Sequence, residues 1–97
     1  MGLGRRAAKR DPNERTILEA LRKVGAVCWQ LDKPADVLCG FRGRFTTLEI
    51  KDGSKPASKR ALTPAEAEYQ AQCAYYHLPH YVVNSPAEAL AAIGASE

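Results

Sequence analysis

Ninety-seven residues, 45% hydrophobic and 26% charged, describe one small globular domain whose modest core makes self-association a reasonable expectation. All 14 Lys and Arg lie in residues 1–60 against seven acids (+7), while residues 61–97 hold four acids and no base (−4). This asymmetry points to an anionic partner for the first part, nucleic acid first among them, with a solvated basic surface as the plainer alternative, and no run approaches the ~18 apolar residues of a membrane span.

Residues 1–10, MGLGRRAAKR, have no apolar periodicity and read as a basic arm carrying Arg5, Arg6, Lys9 and Arg10. They lack the apolar core of a signal peptide. The remainder, 11–97, reads as a single domain. Asp11-Pro12-Asn13-Glu14 predicts a helix start with an N-cap Asp and Pro at the first helical position. Ile17, Leu18, Leu21 and Val24 continue it as one apolar stripe, ended by Gly25. Glu14 has two readings: a capping-box carboxylate, or an acid in line with the stripe and facing the edge of the core.

Ala26 to Leu31 reads as a strand with Trp29 as a large core or interface anchor, and Asp32-Lys33-Pro34 as a turn. Pro34 to Gly53, PADVLCGFRGRFTTLEIKDG, then carries a hairpin signal: two β-branched and aromatic runs around Phe41-Arg42-Gly43-Arg44. With Arg42-Gly43 as a two-residue turn, or Phe41 to Arg44 as a four-residue one, Asp36 stands directly opposite Glu49. A three-residue connection would put them on opposite faces. Glu49 and Lys51 share a face because strand side chains alternate. Facing carboxylates have Cβ atoms about 4.5–5.5 Å apart and repel, so they require a cation.

Asp52 to Leu62, DGSKPASKRAL, reads as a loop that places Lys55, Lys59 and Arg60 beside Lys51. Thr63-Pro64-Ala65-Glu66 repeats the capping signal and opens a helix to about Leu78. At 100° per residue, Gln70 falls near the centre of a face with Ala67, Cys73 and Ala74, with Glu66 nearly in line. His80 to Asn84 is a short strand, and Ser85-Pro86-Ala87-Glu88 caps a last helix, Pro86 to Ile93, stopped by Gly94. The order is αβββαβα, an α/β (α+β) chain with a mixed sheet flanked by helices. Cys28, Cys39 and Cys73 have no CxxC spacing, which argues against a disulfide framework or zinc site and for a reducing, cytoplasmic setting. His77 and His80 lack further ligands at usable spacing and read as a satisfied or surface pair.

Asp36 and Glu49 offer hard oxygen ligands that suit Mg²⁺ or Mn²⁺. An ion there offsets their repulsion and can lower the pKa of a coordinated water. Lys51, on the same side, can help activate that water or stabilise charge building on a phosphate. The ordinary alternative is a surface Glu/Lys pair bridging to Asp36.

An inward Glu on the first helix, then Asp, twelve intervening residues and Glu-x-Lys on a hairpin, then a helix bearing Gln, resembles the PD-(D/E)XK nuclease superfamily. "LEIKDG" before a basic loop, "LTPAEAEYQ" and "YVVNSPAEAL" are similar to the small stand-alone VRR-NUC nucleases, themselves like Holliday-junction resolvases and common in phages and bacteria. The likeness covers residues 11 to 94. Ala35, not Pro, precedes Asp36, with Pro34 one place earlier.

The resemblance implies a restriction-endonuclease-like core and Mg²⁺- or Mn²⁺-dependent hydrolysis of phosphodiester bonds, with no small-molecule cofactor. Asp36, Glu49 and the Ile50 carbonyl would be the metal ligands, Lys51 the catalytic lysine, Glu14 a further metal or water ligand, and Gln70 the motif residue of the later helix. Arg5, Arg6, Lys9, Arg10, Lys55, Lys59 and Arg60 would grip the DNA backbone. Branched or structured DNA is the expected substrate, since no separate recognition domain fits in this length. Symmetrical cutting of a junction calls for a homodimer. The competing expectation is a module of the same fold that holds structured DNA without cutting it.

Overall fold

The computed structural model describes residues 11–95, so the basic arm with Arg5, Arg6, Lys9 and Arg10 lies outside the described residues. Asp11 to Asn13 form a turn whose Asp11 carbonyl accepts from the Glu14 N–H, and helix α1 runs Glu14–Lys23. The helix therefore starts two residues later than its Pro suggests, with Asn13 at the N-cap and no side-chain cap bond. Asn13 instead points across the fold, donating through Nδ2 to the carbonyls of Lys51 and Asn84, 2.9 Å each. Gly25, at φ 96°, stops the helix in a conformation L side chains resist.

Three antiparallel strands follow, β1 Val27–Gln30, β2 Val37–Phe41 and β3 Arg44–Ile50, in the order they are made. A two-residue turn joins β2 to β3, with Arg42 at φ 52° and Gly43 at φ 78°. Positive φ at both central positions is the backbone whose twist matches a right-handed hairpin. The ladder pairs Phe41 with Arg44 and continues without a break to Val37 opposite Leu48.

The stretch after β3, expected as loop, contains one four-residue helix, α2 Ala57–Arg60. Helix α3, Pro64–Tyr76, opens with a complete capping box between Thr63 and Glu66 and closes at His77 in the left-handed region. Strand β4, His80–Val83, pairs parallel to β3 at the far edge, and α4, Pro86–Ala92, closes the described chain with Ser85 capping Glu88 N–H. The architecture is an α+β fold with a four-stranded mixed sheet flanked by helices. Apart from α2, its order is αβββαβα.

One face of the sheet packs on α1 and α4. Val37, Cys39, Leu48, Ile50 and Val83 meet Ile17, Leu21, Ala89 and Leu90 there, all nearly inaccessible. Each such aliphatic side chain contributes about 1.5–3 kcal/mol. The opposite face carries α3 over β3 and β4 only, and Cys73 is the helix's single buried residue. Cys28 and Cys39 face each other across β1 and β2 as free thiols, Sγ to Sγ 3.9 Å. Among the described residues no helix is long and apolar enough to cross a membrane.

Asn13 ties the start of α1 to the ends of β3 and β4, so Asn13→Ala removes two hydrogen bonds and leaves two carbonyls short of a donor. The expected loss is about 2 kcal/mol, or roughly 10 °C in Tm for a domain of this size, read by thermal denaturation.

Candidate active site

The hairpin register carries the site. The ladder ends at Val37 opposite Leu48; Asp36, next along, donates its N–H to the Leu48 carbonyl (3.1 Å), and its carboxyl adjoins that of Glu49. Asp36 leaves the ladder at this point. Its carbonyl accepts from Leu31 N–H (2.8 Å) while its Oδ2 accepts from Ile50 N–H (2.8 Å). A carboxylate oxygen thus takes the position a strand carbonyl would hold, which fixes the side chain against the end of β3.

Glu49 is 4% exposed. Burial raises its pKa, and the adjoining carboxyls of Glu66 and Asp36 raise it further, to about 9. Without a cation, the buried Glu49 holds its proton near neutrality. Lys51 lies on the same face, with Nζ 2.9 Å from Glu66 Oε1 and 3.8 Å from Glu49 Oε2. Burial works to lower the Lys51 pKa, but the hydrogen bond and charge of Glu66, with Glu49 and Asp36 behind it, outweigh burial and raise it. Lys51 is therefore an ammonium, suited to stabilising negative charge and unsuited to taking a proton from water.

Glu14 is 3% exposed and accepts from Gln30 Nε2 at 2.9 Å. Of its two readings the inward one holds, because the helix begins at Glu14 itself, which stands at the first helical position and not at the third, where a capping-box carboxylate would be. A small polar cleft of about 190 Å³ gathers Glu14, Asp36, Glu49, Ile50 and Lys51 with Asp11, Glu66 and Lys59. Of the basic loop, Lys59 reaches this cleft, Lys55 pairs with Asp11 (Nζ to Oδ1 3.6 Å), and Arg60 is exposed. Gln70 is exposed one helical turn beyond Glu66 and does not line this cleft.

Glu66 is the residue the sequence did not place in the site. Its Oε1 accepts from both Thr63 N–H and Lys51 Nζ, 2.9 Å each, so one carboxylate caps α3 and holds the lysine. Burial would raise its pKa, but the Thr63 and Lys51 bonds prevail and lower it, keeping Glu66 ionised. The available signal was its alignment with Gln70 on α3, masked by its fit to a capping box. Tyr69, one turn on, shares Thr47 Oγ1 with His80: Tyr69 OH lies 2.9 Å and His80 Nδ1 2.8 Å from it. His80 is thus satisfied, and His77 serves as the exposed C-cap of α3.

The donor set fits a hard divalent cation. Asp36, Glu49 and the Ile50 carbonyl offer only oxygen, and a second positive charge beside Lys51 would let Glu49 ionise. Among the described residues no group of three or more His, Cys, Asp or Glu side chains is placed to hold a metal ion, so any ion here would rest on fewer carboxylates. Two carboxylates with the remaining positions left to water and phosphate is the ordinary pattern for Mg²⁺.

The Glu49 shift predicts a pH signature in EDTA. A carboxyl whose folded pKa is raised stabilises the fold below its unfolded value, about 4.5, and that contribution is lost as pH rises toward 9. Glu49→Gln keeps the neutral shape, so its Tm should gain on the parent's steadily between pH 5 and pH 9. A constant difference across that range would place Glu49 outside the carboxyl cluster.

The chain matches no family model, no curated protein and no solved structure.

Proposed function

We propose that this protein is a metal-dependent DNA endonuclease of the PD-(D/E)XK type, acting in the cytoplasm on branched or structured DNA. The observation that carries the reading is the facing pair Asp36 and Glu49 with the Lys51 ammonium on the same sheet face, in a polar cleft that Lys59 borders. A bound Mg²⁺ or Mn²⁺ would neutralise phosphate charge and activate the attacking water. Asp36, Glu49 and the Ile50 carbonyl would hold it. Lys51, oriented by Glu66, would stabilise the charge that builds on the phosphate oxygens. Glu14, which lines the cleft, would order water, and the exposed Gln70 would contact DNA outside it. Lys55, Lys59 and Arg60 would supply backbone affinity, joined by Arg5, Arg6, Lys9 and Arg10. Two strands of a junction cut symmetrically require two sites related by a two-fold, hence a homodimer.

Labelled junction, flap and linear DNA incubated with Mg²⁺, Mn²⁺ or EDTA should give cleavage of a branched species in metal only. Asp36→Ala, Glu49→Ala and Lys51→Ala should each lower the rate about 100-fold or more while the proteins remain folded. Sedimentation should show twice the monomer mass. Binding without cleavage of any DNA, at protein excess, would leave a DNA-holding module instead.

Removing Lys55, Lys59 and Arg60 together should weaken DNA binding at every sequence. The slope of log K against log salt should become shallower by about 0.9 for each phosphate that is no longer neutralised. An unchanged slope would remove the loop from the DNA interface.

A further inference from the structure

Helix α3 covers only the β3–β4 half of its sheet face, and the uncovered half carries a second feature on the same side as Glu49. Val27 on β1, Gly40 on β2 and Phe45 on β3 stand side by side in the ladder, with Trp29 two residues along β1. The Trp29 and Phe45 rings lie 6.1 Å apart at 51°, and remain 47% and 61% exposed. Gly40 keeps the floor between them low, since a Cβ there would stand 3.4 Å from Val27 Cγ1 and 3.5 Å from Phe45. The cleft is about 370 Å³, with Arg42 and Arg44 at its rim, and none of the described residues lining it is acidic.

Two exposed rings form a stacking surface, with Arg44 also lining the cleft and the Arg42 guanidinium over the Phe41 ring, 4.8 Å from its centre. Every nucleobase offers a face to stack, and the phosphates of its strand suit the arginines at the cleft. Paired bases are already stacked on each other, so only an unpaired strand can use the rings. Phe45 and Glu49 point to the same side of β3 four residues apart, about 13 Å along the strand. That span is short enough for a single strand lying on the rings to place a nearby phosphate at the carboxylates.

We propose that the Trp29–Phe45 cleft binds unpaired nucleobases. The substrate is then duplex DNA bearing a single-stranded segment, whose bases lie on the two rings while a phosphate a few nucleotides away reaches Asp36 and Glu49. The stacking stands by itself, and its link to cleavage rests on the nuclease reading above.

Trp29 is the sole tryptophan, so its fluorescence reports on the cleft directly. Full-length protein in EDTA, titrated with oligo(dT), should show saturable quenching that a blunt duplex of equal length does not produce. Phe45→Ala, and Arg42→Ala with Arg44→Ala, should weaken oligo(dT) binding about tenfold and change duplex binding by less than twofold. By anisotropy of labelled oligo(dT), Trp29→Ala should lose about tenfold and Trp29→Phe should retain most of the affinity.

Absence of quenching overturns the proposal, as does unchanged oligo(dT) affinity in Phe45→Ala with a native circular dichroism spectrum. So does a Trp29 spectrum that shifts with protein concentration alone, which would assign the cleft to a second copy of the chain. Quenching without cleavage of any DNA would sink the nuclease reading and leave the stacking surface standing. Cleavage without quenching would do the reverse.

Discussion

The two-residue turn at Arg42-Gly43 is the constraint on which the rest of the structure depends. Side chains alternate along a strand, so one residue more or fewer between β2 and β3 would turn every side chain of one strand to the other face. Asp36 and Glu49 face each other only because the connection is even. Gly43 adopts its positive φ freely, whereas Arg42 at φ 52° does so at a cost of about 1–2 kcal/mol. That strain is accepted at the far end of the hairpin and secures the position of two carboxylates at the near end. Asp36 then adds its own lock, because its Oδ2 replaces a strand carbonyl as acceptor for Ile50 N–H.

Placing these acids together opposes folding. A buried ionised carboxyl carries an effective penalty of several kcal/mol, comparable with what two or three core aliphatic residues contribute at about 1.5–3 kcal/mol each. Glu14 and Glu49 are both almost inaccessible at one end of the sheet, with Asp36 and Glu66 beside Glu49. The chain meets this in different ways. Glu14 receives a hydrogen bond from Gln30, Glu66 is held ionised by Lys51 and Thr63 N–H, and Glu49 retains its proton. Five acids and two lysines line the cleft, and this excess of carboxyls is what the proposed cation site rests on.

Legibility in the sequence followed local periodicity. The strands, the hairpin register and the shared face of Glu49 and Lys51 could be read because period two leaves little freedom once the turn is known. The α1 stripe of Ile17, Leu18 and Leu21 was equally plain. Its first turn was not, since Asp-Pro-Asn-Glu fits a capped helix start, while the Asn13 side chain is drawn away by carbonyls far along the chain. Helix α3 misled for another reason. Its small residues, Ala65, Ala67, Ala71 and Ala74, surround the axis, so composition marks no inward side. Gln70, read as the centre of the inward face, is itself exposed, while the contacts run through its neighbours Glu66, Tyr69 and Cys73.

That weak apolar grip explains how α3 and the site are joined. With Cys73 its single buried residue, the helix is held to the sheet largely by polar contacts: Glu66 to Lys51, and Tyr69 to Thr47. The contact that orients the lysine therefore also seats the helix, and Glu66 serves in addition as the N-terminal cap. One carboxylate thus holds both the lysine and the start of the helix. The other consequence lies on the sheet itself. A helix seated over β3 and β4 by a few polar contacts leaves β1 and β2 uncovered, and the rings of Trp29 and Phe45 remain open to solvent on the face that holds the carboxylates.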